Sequence, residues 1–460
     1  MPDDGDEARR ADAGYWLRTF TEQILTERTT REAALPDSRF DRARMVLGCR
    51  DFRVLLAARF ASQIAEGAFL AAIFNAVVFL PESQSTVQGF AVATALSLLP
   101  FALLEPFAGV FVDRWPRRPI LVALPLVRAA AALLALPGLG GGAVYAGALL
   151  VFSANRLFQA TTAAVIPRVV CGAEEQAPKP GQAPDDTLLF TANTMASIVG
   201  TVALFGGISA GGLVATAAGT WAVIALSGVL WAATSVVSSR LSSALPPQKA
   251  AGVLRGELAA VMADLADGFR RIVRTPAALA PVLTVAAGQF LQVIVIATVL
   301  VVIKEDLGGG LVSFSGLVGA GGVGVLLGFL TAGALRSLMP NRLLIGVAFV
   351  LASLGLWPAV VTMDALAFAL TVGAVLLGVS YGWTRVPADT LAQGAVPDRY
   401  RGRVFTAIDL GFNTARVFGA LAAVAVVPLL GPRTTVAVVA VLFLLWAPVV
   451  PLWLRGRRGR

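Results

Sequence analysis

Two short stretches place ionisable groups where the surrounding residues avoid water. Arg59, Gln63 and Glu66 follow one another at steps of four and three, and Asp409, Asn413 and Arg416 repeat those steps near the other end of the chain. On a helix such steps fall on one face. Each triplet holds one acid, one base and one amide inside an apolar run. An acid so placed can carry a proton, an arginine can hold an anionic group, and an amide can hydrogen-bond a ligand. Two readings of each triplet stand: a polar face turned to an internal cavity, or a neutralised pair. Arg59 has a third, extension of its charge toward a membrane surface.

Other polar groups are few. Glu105 lies beside prolines in "LLPFALLEPFAG" and is read as a second proton site or a packed neutral acid. Asn75, Gln289 and Gln292 are candidate substrate contacts. The two glutamines share a helix face and serve equally for interhelical hydrogen bonds. Arg128 reads as structural. The chain has no histidine and two cysteines. Imidazole metal sites and histidine-based catalytic sets are therefore excluded, and proton chemistry falls to carboxylates. The cysteines supply neither a disulfide framework nor a metal site. No Gly-x-x-x-x-Gly-Lys-Ser/Thr loop is present, so ATP is not expected as the driver. No enzyme activity, cofactor or metal is expected.

The elements that must hold these groups follow from composition. Of the 460 residues, 57% are hydrophobic and 14% charged, against about a quarter charged in soluble domains. The apolar residues gather in windows of about twenty, the length that crosses a bilayer as a helix. They are too long and too uniform for barrel strands, which alternate over about ten residues. Spans are expected at 54–80, 88–112, 119–138, 142–166, 188–213, 219–238, 277–303, 313–334, 343–363, 365–388, 405–429 and 434–454. The fold class is thus an all-α integral membrane protein of twelve transmembrane helices in two six-helix halves.

Charge tests that count. With the N-terminus inside, connections alternating and Arg385 counted with the inner end of the tenth span, 31 of the 37 Lys and Arg residues fall in inside segments and two, Lys304 and Arg433, outside. Arg59, Arg128, Arg156 and Arg416 make up the rest, within spans. Such asymmetry is the positive-inside rule. It places both termini in the cytoplasm, in the inner (plasma) membrane, and accounts for the net charge of +9 without nucleic acid. The expected domains are an N-terminal extension (1–47), a six-helix half (48–238), a linker (239–276), a second half (277–455) and a basic tail (456–460). In the linker, Leu254, Leu258, Val261, Leu265, Phe269 and Ile272 step as an amphipathic helix does. Residues 15–25 of the extension read as a short amphipathic helix or an unstructured tail.

The halves repeat. "GVFVDRWPRR" (109–118) aligns with "GALRSLMPNR" (333–342), each after the second span of its half. Gly, Pro and the last Arg match, and Ser337 stands where the first copy has Asp113. Parallel repeats of this kind build transporters that rock one half against the other. The glycine-rich run 316–328 lies inside an apolar span, so close helix packing explains it rather than phosphate binding.

These residues resemble the major facilitator superfamily over roughly 48–455. Gly109, Asp113, Arg114, Arg117 and Arg118 match the pattern of that family's loop after the second helix, with Pro116 where the family usually has Gly. "SQIAEG" (62–67), "ADGFRRIVRTP" (266–276) and "VPDRYRGRVF" (396–405) are similar to the drug-exporting branch that includes macrolide and siderophore exporters. "RLFQA" (156–160) resembles an Arg-x-x-Gln-Gly motif with Ala160 for Gly, and "GISAGGL" (207–213) an exporter motif with Ile208 for Pro. The loop between the fourth and fifth spans is longer than the family's usual connection.

The resemblance implies the major facilitator fold and a division of roles. Glu66, Arg156, Asp409 and Glu105 are expected to couple protons, with Arg156 facing Glu66. Arg59, Gln63, Asn75, Gln159, Gln289, Gln292, Asn413 and Arg416 are expected to line the substrate path. Gly109, Asp113, Arg114, Arg117, Arg118 and Arg403 are expected to form the gating motif, with Asp113 against the N-terminus of the eleventh helix, where an anion is favoured. The expected function is proton-coupled efflux of an amphipathic small molecule by a monomer in the lipid bilayer. Import, lipid transport and a non-transporting scaffold or sensor are the alternatives.

Overall fold

A computed structural model of the chain describes residues 39–79, 86–135, 142–170, 186–242, 254–361, 366–394 and 401–455. The 15–25 segment and most of the 171–187 loop lie outside them. Among the described residues every regular element is helical. Membrane-spanning backbone demands this, because lipid offers no partner for an unpaired N–H or C=O.

A short helix α1 (Arg39–Gly48) leads into α2 (Arg50–Phe74), α3 (Thr86–Arg114), α4 (Arg117–Ala135), α5 (Gly142–Val170), α6 (Asp186–Ala218) and α7 (Thr220–Ser238). The amphipathic α8 (Leu254–Arg274) follows. Then come α9 (Pro276–Val301), α10 (Leu311–Leu338), α11 (Asn341–Val361), α12 (Leu366–Gly394), α13 (Arg401–Leu430), α14 (Pro432–Trp446) and α15 (Val449–Arg455). A helix thus occupies each of the twelve expected spans. Among the described residues, ten helices are long and apolar enough to cross a bilayer by themselves. Within α3, Thr86–Pro100 forms a shorter apolar stretch.

The sequence repeat has a structural counterpart. The first long helix of each half ends in a π-helical segment, Asn75–Phe79 after α2 and Val302–Asp306 after α9. The last helix of each half starts from a glycine in the left-handed region, Gly219 at φ 85° before α7 and Gly431 at φ 76° before α14. Only glycine enters that region without a steric penalty. Proline-bearing turns separate α3 from α4 at Pro116 and α10 from α11 at Pro340.

The halves meet where α3 packs along α13 and α6 along α10. The linker helix α8 lies against α13, α9 and α3. Ile272 faces the protein while Met262, Phe269 and Val273 are exposed, so only part of its apolar stripe is covered.

The glycine run 316–328 works on two sides. Gly319 and Gly322 face Ser209 and Phe205 of α6, while Gly324 and Gly328 face the α12 backbone. Gly382 of α12 sits so close that an added Cβ would lie 2.6 Å from the Gly328 carbonyl carbon. Backbone cannot yield as a side chain can. Gly382→Ala should therefore cost about 1–3 kcal/mol, read as a lowered Tm of the purified protein. Gly316→Ala, which meets nothing within 4 Å, should leave Tm unchanged.

Candidate functional site

Two charged clusters lie inside the apolar helices, one in each half. In the N-terminal half, α7 packs on both α2 and α4. The long Arg128 side chain crosses from α4 to α2. There it forms an ion pair with Glu66 and donates to the Ser62 hydroxyl at 2.8 Å. Its guanidinium lies 4.3 Å from the Trp231 ring centroid, a cation–π contact. Phe69 packs on Trp231 and, on its other side, on Phe152. The pair is sealed, with side-chain exposures of 0% for Arg128 and 7% for Glu66.

This corrects the expected pairing. Glu66 is engaged by Arg128, not by Arg156, which is half-buried on α5. The reason is reach: α2 shows Glu66 to the α4–α7 side, and Arg128 is long enough to arrive there.

In the C-terminal half, Arg385 of α12 sits between two acids. It donates from Nε to Asp389 at 2.8 Å, one turn along its own helix, and from a terminal nitrogen to Asp409 of α13 at 2.5 Å. Arg385 and Arg416 both lie over the Phe412 ring, at 5.0 and 5.8 Å from its centroid. Tyr381 packs on Phe412 and on Phe329. Two positive and two negative groups thus surround one aromatic core. Unlike the N-terminal pair, this cluster is partly open, with side-chain exposures of 16% for Arg385 and 34% for Asp409.

Here too a pairing changes. The neutralising partner of Asp409 is Arg385, not Arg416, whose buried Nε has no hydrogen-bond partner. Arg385 and Asp389 were missed in the sequence because Arg385 stands near the expected end of the tenth span and was counted with the inside charges. The structure continues α12 to Gly394, so Arg385 lies well within a helix. Its signal was Pro387, two residues on, which cannot donate to the Trp383 carbonyl and so weakens the helix beside the cluster.

The remaining expected residues divide three ways. Arg59 lies against Gly200 of α6 with its Nε unpartnered, and Gln63 is buried with Nε2 unpartnered. Gln159 is half-buried on α5. The Asn75 amide donates to Thr220 at 2.7 Å, tying α2 to α7, and Asn413 donates to the Asp409 carbonyl of its own helix at 3.0 Å. Gln289 donates to Gln292 at 2.8 Å along α9. Both glutamines line a narrow cleft, of about 20 Å³, with Ser380, Tyr381, Thr384 and Arg385. Of the gating motif, Arg117 is buried and Arg118 donates to the Ser239 carbonyl at 2.6 Å, joining α4 to the end of α7. The side chains of Glu105, Gly109, Asp113, Arg114 and Arg403 lie outside the described residues.

At the end of α3 opposite that motif, the two π-helical segments meet. Lys304 donates to the Val78 carbonyl at 2.8 Å, and Thr86 donates to Glu305 at 3.1 Å. Phe74 and Phe79 both pack on Phe314. These contacts join the halves at that end.

The comparisons with known proteins agree with this architecture. The model of the Major Facilitator Superfamily matches residues 282–460. An uncharacterized MFS-type transporter of Mycobacterium tuberculosis is 28% identical over 442 residues, 91% of this chain and 94% of the relative. A Mycobacterium bovis relative matches to the same extent. A POT family transporter solved in complex with 5-aminolevulinic acid aligns with a TM-score of 0.67 at 10% identity, over 88% of this chain and 96% of that one. The nucleoside transporter NupG aligns with a TM-score of 0.65 at 12% identity, over 89% of this chain and 100% of that one. At such identities the solved structures speak to fold alone. The described residues carry the fold of these transporters, and residues 282–460 match the superfamily's sequence pattern.

Proposed function

We propose that the protein is a secondary active transporter that moves an amphipathic small molecule outward in exchange for protons, by alternating access. The observation that carries the reading is the cluster of Arg385, Asp389 and Asp409 inside apolar helices, with side chains that are only partly covered by the protein. Burying charge in a membrane is costly, and such groups mark ion pathways. Exposure separates the two clusters. The Asp409 side chain is 34% exposed, whereas Glu66 is sealed beneath Arg128.

Alternating access fits the seam. The contacts between the π-helical segments and the packing of α3 along α13 support it, and Asp113 is the expected inner latch. The arginine-rich connections favour both termini on the cytoplasmic side of the plasma membrane. The sparse polar lining favours an amphipathic cargo over a sugar.

The test uses everted vesicles and a panel of cationic, neutral and anionic amphipathic dyes. Dye uptake driven by an imposed proton gradient is expected for at least one dye, with Asp409→Asn lowering it about tenfold or more. Glu66→Gln should lower it less. A scaffold or sensor would show no gradient-driven uptake of any dye. Full uptake by Asp409→Asn would remove that residue from the coupling path.

A further inference from the structure

The linker helix α8 sits at the level where the chain enters the bilayer. Only Thr275 separates it from α9, and the Thr275 amide donates back to the Ile272 carbonyl at 3.0 Å. The apolar spanning stretch of α9 begins at Ala278. Leu265 and Ile272 of α8 pack with Ala278 and Val282 of α9 and with Ile408 of α13. α8 thus touches side chains that lie within spans, so it runs along the membrane surface rather than out in the water.

Around the helix, at about 100° per residue, the side chains fall in three adjoining sectors. Leu265, Gly268 and Ile272 face the protein. About a quarter turn away, Met262, Phe269 and Val273 form a stripe at steps of seven and four, 54%, 64% and 48% exposed. A further quarter turn on stand Arg270 and Arg274, one helical turn apart and both exposed. The half-buried Asp267 lies beyond them. Protein, apolar stripe and cations follow one another as helix bundle, acyl chains and phosphates do at the edge of a leaflet.

Size and charge decide the occupant. Three side chains present far less than the roughly 800 Å² that each partner buries in a stable protein complex. A helix that lies in the interface, by contrast, is held by a narrow apolar face together with basic residues near anionic lipid. We propose that α8 binds anionic phospholipid of the adjoining leaflet, with Met262, Phe269 and Val273 in the acyl boundary and Arg270 and Arg274 on the phosphates. Each basic residue at an anionic surface strengthens such binding about fivefold. α8 packs on α3 of one half and on α9 and α13 of the other, so the bound lipid lies beside the seam between the halves. The assignment rests on the membrane fold and not on the transport reading.

The test uses the full chain in neutral nanodiscs doped, at one low fraction, with phosphatidylglycerol or phosphatidylcholine that carries a photoreactive acyl chain. Crosslinks to residues 262–274 are located by mass spectrometry. Phosphatidylglycerol is expected to label this segment at least about tenfold more than phosphatidylcholine. Salt at about 1 M should bring the two within about twofold, because it screens the arginines. Arg270→Gln combined with Arg274→Gln should do the same and leave Tm unchanged, since both side chains are exposed. Equal labelling of the wild type by the two lipids, or an excess that survives the double substitution, overturns the proposal. So does a lack of labelling by either lipid, which would give the stripe to a second copy or to a water-facing partner. The comparison of lipids on the wild type involves no substitution, so it decides the matter whether or not the double variant folds.

Discussion

Arg385→Ala is expected to lower gradient-driven transport by at least about 100-fold while the protein still inserts and folds. The substitution removes the guanidinium that joins Asp389 at 2.8 Å and Asp409 at 2.5 Å. Two carboxylates on adjoining helices are then left without a counter-charge, in surroundings that cannot hydrate both as water would. The two like charges then repel each other, and the geometry that holds Asp409 against α12 is lost. A 100-fold loss corresponds to about 2.7 kcal/mol, within what a charged hydrogen-bonded partner supplies. Arg385→Lys should recover part of the activity. Lysine keeps the charge but presents one nitrogen where arginine presents a fork, so it can favour one aspartate over the other. Transport is measured in everted vesicles and normalised to folded protein by thermal unfolding. Activity within threefold of wild type for Arg385→Ala would make the cluster a structural clasp.

The second large effect concerns stability. Arg128→Met should destabilise the N-terminal half by about 3–5 kcal/mol, because it strands a buried Glu66 without its partner. The Ser62 hydroxyl loses its donor and Trp231 its cation in the same step. Replacing both charged groups, Glu66→Gln with Arg128→Met, should return most of that loss, since uncharged residues of similar volume do well where a buried pair stood. The measurement is thermal unfolding of purified protein for the two single variants and the double. If the double is no more stable than Arg128→Met alone, the cost comes from the lost Trp231 contact and not from an orphaned charge. If Arg128→Met unfolds with the wild type, the pair is no staple of α2, α4 and α7.

The two experiments separate roles that look alike in the sequence. Glu66 and Asp409 each begin or end a triplet with the same spacing, and both read as proton carriers. Their surroundings differ, one sealed against Trp231 and the other partly open beside Phe412. A sealed pair contributes mainly to holding its helices together, and an open one can trade protons with solvent. Spacing reveals a shared face; it does not reveal what that face meets.

Much of the architecture was legible without coordinates because it depends on local properties of the chain. A run of about twenty apolar residues must cross a bilayer as a helix whatever its neighbours are. Pro116 and Pro340 mark turns through their own backbone geometry. The amphipathic steps of the linker and the match of 109–118 with 333–342 are likewise read along one dimension. Which helix faces which is not local. It is set by how each helix is rotated and by which small residues allow close approach, as Gly324, Gly328 and Gly382 do between α10 and α12. For that reason only the tertiary structure gave Glu66 to Arg128 and gave Asp409 to Arg385.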